Sequence, residues 1–294
     1  MGWGEIFALT SALLWALAVI LMRRVGETLP PFELNLFKNS LGMALVLPTI
    51  FLMGDMQLPP YSLSEYAIVL VSGAIGIALA DTWYLKALNL MGASRTGILA
   101  SLFSPFVILL STIFLGERMA MWQWLGFFLV ISGVLMVTWR VKHTALEAAD
   151  IKKGAIYGTA AMFMMALGIV MVKEILETRP LLWTMELRLA GGVAGMLFYI
   201  VAQRQWQSVK RNFQKPQPWP MIIIASALAA YVALIFWLAG YKMIDASVAS
   251  ILNETNVVFI ILLAWLMLGE QITRRKLAGI VLTVGGVLVM AIHV

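Results

Sequence analysis

Cysteine is absent from the 294 residues, and charged residues make up only 12% of them. Without cysteine, the chain can form neither a disulfide framework nor a thiolate metal site. Its two histidines, His143 and His293, fall in a polar connection and near the C-terminus, so we expect no metal and no cofactor. The motifs G-x-x-x-x-G-K-[ST], G-x-S-x-G and H-E-x-x-H are missing as well, which argues against an ATPase domain and these hydrolase sites.

Hydrophobic residues dominate instead, at 62% of the chain, and the mean hydropathy is +0.91. A soluble protein carries about 25% charged residues, whereas roughly 20 apolar residues in a helix cross a bilayer core of about 30 Å. The sequence therefore predicts an all-α membrane protein with ten transmembrane helices. We place these spans at residues 3–22, 32–53, 65–85, 94–115, 121–139, 154–172, 181–202, 221–241, 247–268 and 277–292.

The chain also repeats itself. Residues 84–138 return at 237–291 without a gap, 153 positions later, and an offset of 150 aligns the segments upstream. Such self-similarity indicates a repeated structural unit. The matching positions include Ala93/Ala246, Ser94/Ser247, Gly126/Gly279, Gly133/Gly286, Lys38/Arg188 and the Leu-Gly-Glu triplets 115–117 and 268–270.

Each half holds five predicted spans, an odd number, so the second half must enter the membrane from the opposite side. We therefore expect two inverted five-helix repeats, residues 1–140 and 154–294, joined by a polar linker at 141–153. Inverted repeats related by an axis in the membrane plane are typical of alternating-access carriers, whose binding site lies near the midplane.

Lysine and arginine are distributed unequally between the two membrane faces of this topology. Fifteen lie on the face that holds Arg23 and Arg24, and four lie on the other. The positive-inside rule places the richer face in the cytoplasm, and both termini then lie outside. We expect a multi-pass protein of the cell (inner) membrane, and its net charge of +6 needs no nucleic acid partner.

Four features of the two halves match one family. They are the run A-S-x(6)-S-x(3)-P, the Leu-Gly-Glu triplets, the G-x(6)-G spacing that follows them, and a basic residue in spans 2 and 7. In this respect the chain resembles the EamA domain of the drug/metabolite transporter superfamily over nearly its whole length. It departs from the pattern in two ways. The second half has no proline where the first has Pro105, and many relatives keep both termini inside.

The resemblance implies a secondary active transporter and not an enzyme. We expect it to export a small polar or amphipathic metabolite, such as an amino acid or a related compound, by alternating access, with proton coupling left open. The partners would be the substrate and the lipid bilayer, with the protein a monomer or a weak homodimer. A membrane scaffold or sensor without transport is one alternative. An intramembrane enzyme is another, although Asp81 and Glu254 fall in opposite halves of the membrane, which disfavours it.

Of the charged residues inside predicted spans, five lie well away from the span ends or have polar neighbours that single them out. A charge at mid-helix costs roughly 2.5–3.5 kcal/mol on insertion scales. Such residues normally face the bundle interior or a water-filled cavity. We expect a charge pair in each membrane half, either static or acting as a gate: Lys38 with Asp81, and Arg188 with Glu254. Glu186 lies about 200° around the helix from Arg188 and is expected to contact a different neighbour.

Glu254 has polar neighbours, with Asn253 and Asn256 beside it and Ser250 one turn earlier. This pattern predicts either a polar cavity face, with Glu254 binding a proton or a substrate amine, or a structural hydrogen-bond network. Among the aromatic residues, Trp15 and Tyr157 are the better candidates for a cavity lining.

Three aromatic residues lie close to span ends, and we interpret them as interfacial belt residues: Trp83, Tyr84 and Tyr241. In the Leu-Gly-Glu triplets, glycine suits a helix C-terminus, and we expect the glutamate to favour the positive N-terminus of the next helix.

Overall fold

The computed structural model describes residues 2–54, 57–116, 121–138 and 148–290, and these form helices joined by short connections. The helices of the first half are α1 Trp3–Val25, α2 Pro31–Leu52, α3 Leu63–Gly73, α4 Asp81–Met91, α5 Ala93–Ala100, α6 Phe103–Phe114 and α7 Met121–Thr138. Those of the second half are α8 Ala148–Thr178, α9 Leu181–Ala202, α10 Trp206–Gln214, α11 Trp219–Ala227, α12 Ala233–Met243, α13 Ala246–Asn253, α14 Asn256–Leu268 and α15 Arg274–Met290.

Within the described ranges, eight helical spans are long and apolar enough to cross a membrane. They coincide with predicted spans 1–4 and 6–9. The helices at predicted spans 5 and 10, α7 and α15, are shorter, at 18 and 17 residues. Helix α8 begins at Ala148, so residues 148–153, which were predicted to belong to the linker, are helical. His143, His293 and Glu117 lie outside the described residues.

Local sequence chemistry accounts for several helix boundaries. Pro31 occupies the first turn of α2, where its missing N–H costs nothing. Ser62 and Glu65 form a reciprocal capping box at the start of α3. Gly269 ends α14 with φ +68°, the left-handed conformation that glycine adopts without strain, as the Leu-Gly-Glu pattern predicts.

Spans 4 and 9 are each broken in the middle, which the sequence prediction did not anticipate. The breaks follow Ala100 and Asn253, and Ser101 and Glu254 occupy equivalent positions in them. In the first half, Pro105 sits in the first turn of α6; a proline deeper in a continuous helix would clash with the preceding turn. In the second half, the Thr255 hydroxyl donates to the Leu252 carbonyl (2.9 Å), a local bond that competes with the regular helix.

Spans 3 and 8 each contain a π-helical segment, again at matching positions: Ala74–Ala80 and Leu228–Val232. Such segments are often found at functional sites. In the first half, Asn35 of α2 donates to the backbone carbonyls of Ile77 (2.8 Å) and Ala78 (3.3 Å). The widened turn is therefore held by a side chain from a neighbouring helix.

The two halves pack through reciprocal contacts. Helix α1 packs on α12, and its repeat counterpart α8 packs on α4. Helices α7 and α15 form the most extensive pair and run antiparallel. A Cβ placed on Gly133 would lie 2.8 Å from the Gly279 carbonyl oxygen, and one on Gly286 would lie 2.7 Å from the Gly126 carbonyl oxygen. Small residues therefore let the two backbones approach closely, as they do in membrane helix pairs.

Glu270 was expected to lie at the N-terminus of the next helix, α15, but it binds the N-terminus of a different helix. Its carboxylate accepts the backbone N–H groups of Ala93 (2.7 Å) and Ser94 (3.2 Å), at the start of α5 in the other half. Lys276 lies 3.2 Å from the same carboxylate. The N-terminus of α5 attracts Glu270 because its first N–H groups have no partner within the helix.

Candidate functional site

A cavity of about 110 Å³ lies between the two halves, at the level of the helix breaks and the π segments. All four of these irregular segments border it, so the backbone departs from regular helix where it lines a cavity within the protein. The residues that line it are Ser11, Trp15, Lys38, Asn39, Gly76, Ile77, Asp81, Tyr84, Ala100, Phe103, Met162, Met165, Arg188, Ala229, Ala230, Ala233, Leu234, Trp237, Asn253, Glu254 and Asn256.

Lys38 and Asp81 form a buried ion pair at one side of the cavity, as the sequence analysis expected. Helix α2 supplies the lysine and the first residue of α4 supplies the aspartate, immediately after the π segment. Lys38 is only 3% exposed. Each charge therefore compensates the other, since a single buried charge without a partner is strongly unfavourable.

Arg188 does not pair with Glu254 in the described structure, contrary to expectation. Its guanidinium Nη1 donates to the Gly168 carbonyl of α8 (3.3 Å) and the group lies over Gly76 of the π segment. A Cβ at position 76 would lie 3.4 Å from the Arg188 Nη2 atom, so Gly76 leaves room for the guanidinium. Arg188 is nevertheless buried and lines the same cavity as Glu254.

Glu254 lies at the break of span 9 and reaches the equivalent break of span 4. Its Oε1 accepts the backbone N–H of Ser104 (3.3 Å), in the first turn of α6. Within the described residues its Oε2 is buried without a hydrogen-bond partner. A buried acceptor in this state is costly, and one on a cavity wall can be satisfied by water or by a bound molecule.

Asn253 and Asn256 flank Glu254 and differ in their contacts. Asn253 Oδ1 accepts the Ser11 hydroxyl (2.7 Å), and its Nδ2 donates to the Ala249 carbonyl (2.8 Å). Asn253 thus belongs to a network that joins α13 to α1. Asn256 Oδ1, by contrast, is buried with no partner among the described residues. The structural network and the polar cavity face that the sequence left as alternatives are therefore both present.

Aromatic rings cover two walls of the cavity. Trp15 packs against Tyr84 with ring centroids 6.0 Å apart, and Phe103 packs against Trp237 at 6.3 Å. Tyr84 and Tyr241 are 2% and 0% exposed, so both are buried in the protein and are not belt residues. That interpretation was wrong because position along a span does not reveal which face meets another helix.

Two residues that the sequence analysis singled out lie away from the cavity lining. Tyr157 packs on Trp83 (6.4 Å), with the Lys86 ammonium 5.4 Å from its ring centroid. Glu186 is 5% exposed, and its Oε2 has no partner among the described residues. The expected contact of Glu186 with a neighbour other than that of Arg188 stays a prediction.

Ser11, Asn39 and Phe103 also line the cavity but were not predicted from the sequence. For two of them a signal existed: Ser11 lies one helical turn before Trp15, and Asn39 follows Lys38 directly. Phe103 offered none, because it depends on the break in span 4. The described residues contain no group of three or more His, Asp or Glu side chains that could hold a metal ion.

Comparisons with known proteins agree with this fold. The model of the EamA-like transporter family matches residues 2–139 and 152–292, and thus both halves. An uncharacterized transporter, YxxF, from Bacillus subtilis (strain 168) is 24% identical over 150 residues, which cover 51% of this chain and 47% of that protein. The match therefore spans about half the length of this relative.

A solved structure described only as the crystal structure of a protein superposes with a TM-score of 0.71, at 17% sequence identity. The superposition covers 97% of this chain and 95% of the other, which shows a shared fold. The matches of the family model to both halves and the eight apolar helical spans show that the chain is a multi-pass membrane protein that belongs to the EamA-like transporter family.

Proposed function

We propose that this protein is a secondary active transporter that carries a small polar or amphipathic metabolite, an amino acid or a related compound, out of the cell. One observation carries the proposal. The central cavity presents two buried acceptors, Glu254 Oε2 and Asn256 Oδ1, that have no hydrogen-bond partner among the described residues. Polar groups buried in this way inside a membrane protein mark substrate or ion pathways.

The charges on the cavity wall support one class of substrate. Lys38 and Asp81 form an ion pair, and Asp81 also interacts electrostatically with Arg188. Among the described residues, Arg188 and Glu254 are one positive and one negative group of the wall that form no salt bridge of their own. Together they complement a molecule that carries both an anionic and a cationic group. The aromatic walls around Trp15 and Trp237 suit an apolar part of the same molecule.

The transport cycle would use the two halves, residues 1–140 and 154–294, as inverted five-helix repeats that rock around the cavity, with α7 and α15 as spans 5 and 10. The reciprocal contacts of α1 with α12 and of α8 with α4 support this arrangement. So do the antiparallel pairing of α7 with α15 and the matching breaks and π segments. In alternating access, one repeat rocks against the other around a fixed site near the midplane of the membrane.

Orientation follows from the loop charges, with both termini outside. A green fluorescent protein fused at the C-terminus should then stay dark, and a phosphatase fused there should be active. The opposite pair of results would reverse the orientation and leave the site unchanged.

Flux from proteoliposomes tests the function itself. Vesicles that contain the purified protein, loaded with a mixture of small metabolites, should release at least one zwitterionic compound faster than protein-free vesicles. Release that responds to an imposed pH gradient would establish proton coupling. If no compound moves faster, a scaffold or sensor without transport becomes the better interpretation. Turnover of a lipid-linked substrate without flux would favour the intramembrane enzyme.

A further inference from the structure

The connection between α9 and α11 is strongly basic. Residues 203–218, which we call the basic connection, contain no Asp or Glu and four cations: Arg204, Lys210, Arg211 and Lys215. All four are exposed. Within the described part of the chain, none of them takes part in an ion pair. The corresponding connection of the first half, residues 53–62, has no Lys or Arg, so this charge is not a property of the repeat.

Helix α10 forms the middle of the basic connection, and its apolar face is docked on the protein. Val209 is buried, and Phe213 stacks on Trp219 with centroids 6.3 Å apart and packs on Phe37 at 6.5 Å. Asn212 Nδ2 donates to Glu33 Oε1 (2.7 Å) in the first turn of α2. These contacts fix α10 at the level where α2 begins, with Lys210 and Arg211 directed outward.

The same helix adjoins the surface that faces lipid. The last turns of α9 expose Phe198 (75%) and Val201 (73%), and Trp206 at the start of α10 is 61% exposed. Tryptophan concentrates at membrane–water interfaces, where its ring sits among the headgroups. The four cations therefore lie beside the headgroup layer and not far out in water.

We propose that the basic connection binds the headgroups of anionic phospholipids in the adjacent leaflet. A phosphate with a net negative charge complements the unpaired Lys and Arg side chains, and Trp206 would rest between the acyl chains and the headgroups. Each Lys or Arg near an anionic surface contributes an attraction of about fivefold in binding. The interaction would hold α10 against the membrane surface, and with it the start of α2 and the end of α9.

The absence of cysteine allows a clean test. Ser208, on the exposed side of α10, is replaced (Ser208→Cys) and labelled with a fluorescent donor, and the protein is reconstituted in phosphatidylcholine vesicles. These vesicles carry a trace of acyl-labelled acceptor lipid, either phosphatidylglycerol or phosphatidylcholine. We expect energy transfer to indicate at least about fivefold enrichment of phosphatidylglycerol near the label. The enrichment should fall as salt screens the charges.

A matched pair of charge removals locates the effect. In the labelled background, Lys210→Gln/Arg211→Gln should abolish most of the enrichment, whereas Lys152→Gln/Lys153→Gln removes two exposed cations at the start of α8 and should leave it unchanged. Equal transfer to both lipids, or an equal loss with both pairs, would overturn the proposal. Loss of enrichment on adding inorganic phosphate at constant ionic strength would also overturn it, since the site would then bind free phosphate.

Discussion

The Glu254 carboxylate of the second half accepts a hydrogen bond from the backbone N–H of Ser104 in the first half, at 3.3 Å. This bond joins the broken helix of span 9 to the broken helix of span 4 at the cavity. Any movement of one half against the other must change the surroundings of Glu254. Under the proposed function, the carboxylate would both contact the substrate and respond to the rearrangement of the helices around it.

Glu254 and Arg188 are expected to bind opposite charges of the same substrate. Once flux has identified that substrate, Glu254→Gln and Arg188→Met should each weaken its binding by about 10- to 100-fold, because hydrogen bonds to charged groups contribute about 1.5–3 kcal/mol. The double variant should lose less than the sum of the two singles, measured as free energies from dissociation constants.

Glu186→Gln is the matched control for this cycle, since it alters a buried carboxylate on α9 that does not line the cavity. It should leave the dissociation constant unchanged. Strict additivity of the Glu254 and Arg188 effects would show that the two residues act independently of each other.

The Lys38–Asp81 pair should matter for stability more than for binding. Lys38→Met or Asp81→Asn alone leaves one buried charge uncompensated, which costs about 3–5 kcal/mol, whereas the double variant removes both charges and should recover most of this. Thermal unfolding in detergent, followed by intrinsic fluorescence, measures the three variants. Flux by the double variant then distinguishes two roles of the ion pair. If the pair is a static bridge, the double variant should still transport, and if the pair is a gate, transport should be lost.

Sequence reasoning reached the repeat, the positions of eight apolar spans and the pairing of Lys38 with Asp81, because periodicity and charge inside apolar spans are local signals. It did not reach the π segment at Ala74–Ala80, which depends on hydrogen bonds from Asn35 of a neighbouring helix. It also missed the break at Ser101, although Pro105 lies four residues later. Arg188 was predicted to pair with Glu254 because both were placed in the same half of the membrane. The guanidinium instead donates to the Gly168 carbonyl, a backbone acceptor that the pattern of side chains does not reveal.

Alanine substitutions at two adjacent glycines of α15, Gly285 and Gly286, distinguish the effect of close helix packing on stability from the effect of helix propensity. A Cβ on Gly286 would lie 2.7 Å from the Gly126 carbonyl oxygen and 2.9 Å from Leu129 Cβ, whereas one on Gly285 would meet nothing within 4 Å. Gly286→Ala should therefore lower the melting temperature. Gly285→Ala should leave it unchanged or raise it, because alanine favours a helix by up to about 1 kcal/mol. Equal effects of the two changes would contradict the close packing of α7 on α15.

Glu270 should make stability depend on pH in the acid range. Burial alone would raise the pKa of this carboxyl group, but hydrogen bonding with Ser94 and Ala93 and the charge of Lys276 hold it below the ordinary value of 4.5. A lowered pKa in the folded state means that the stabilisation is complete above about 4.5 and is lost as the pH falls through the lower, folded-state value.

Melting temperatures of the wild type and of Glu270→Gln, recorded from neutral pH down to the acid limit of solubility, test this. The wild type should be the more stable at neutral pH, and the difference should shrink in acid. A difference that stays constant across the range would show that the charge of Glu270 does not contribute.

The most direct measurement compares flux of the identified substrate from proteoliposomes that contain equal amounts of wild type, Glu254→Gln or Glu186→Gln. If the central cavity is the substrate site, the wild type and Glu186→Gln should release the compound at the same rate, and Glu254→Gln should release it at least about tenfold more slowly. Wild-type rates for Glu254→Gln would contradict the assignment of the cavity as the transport site.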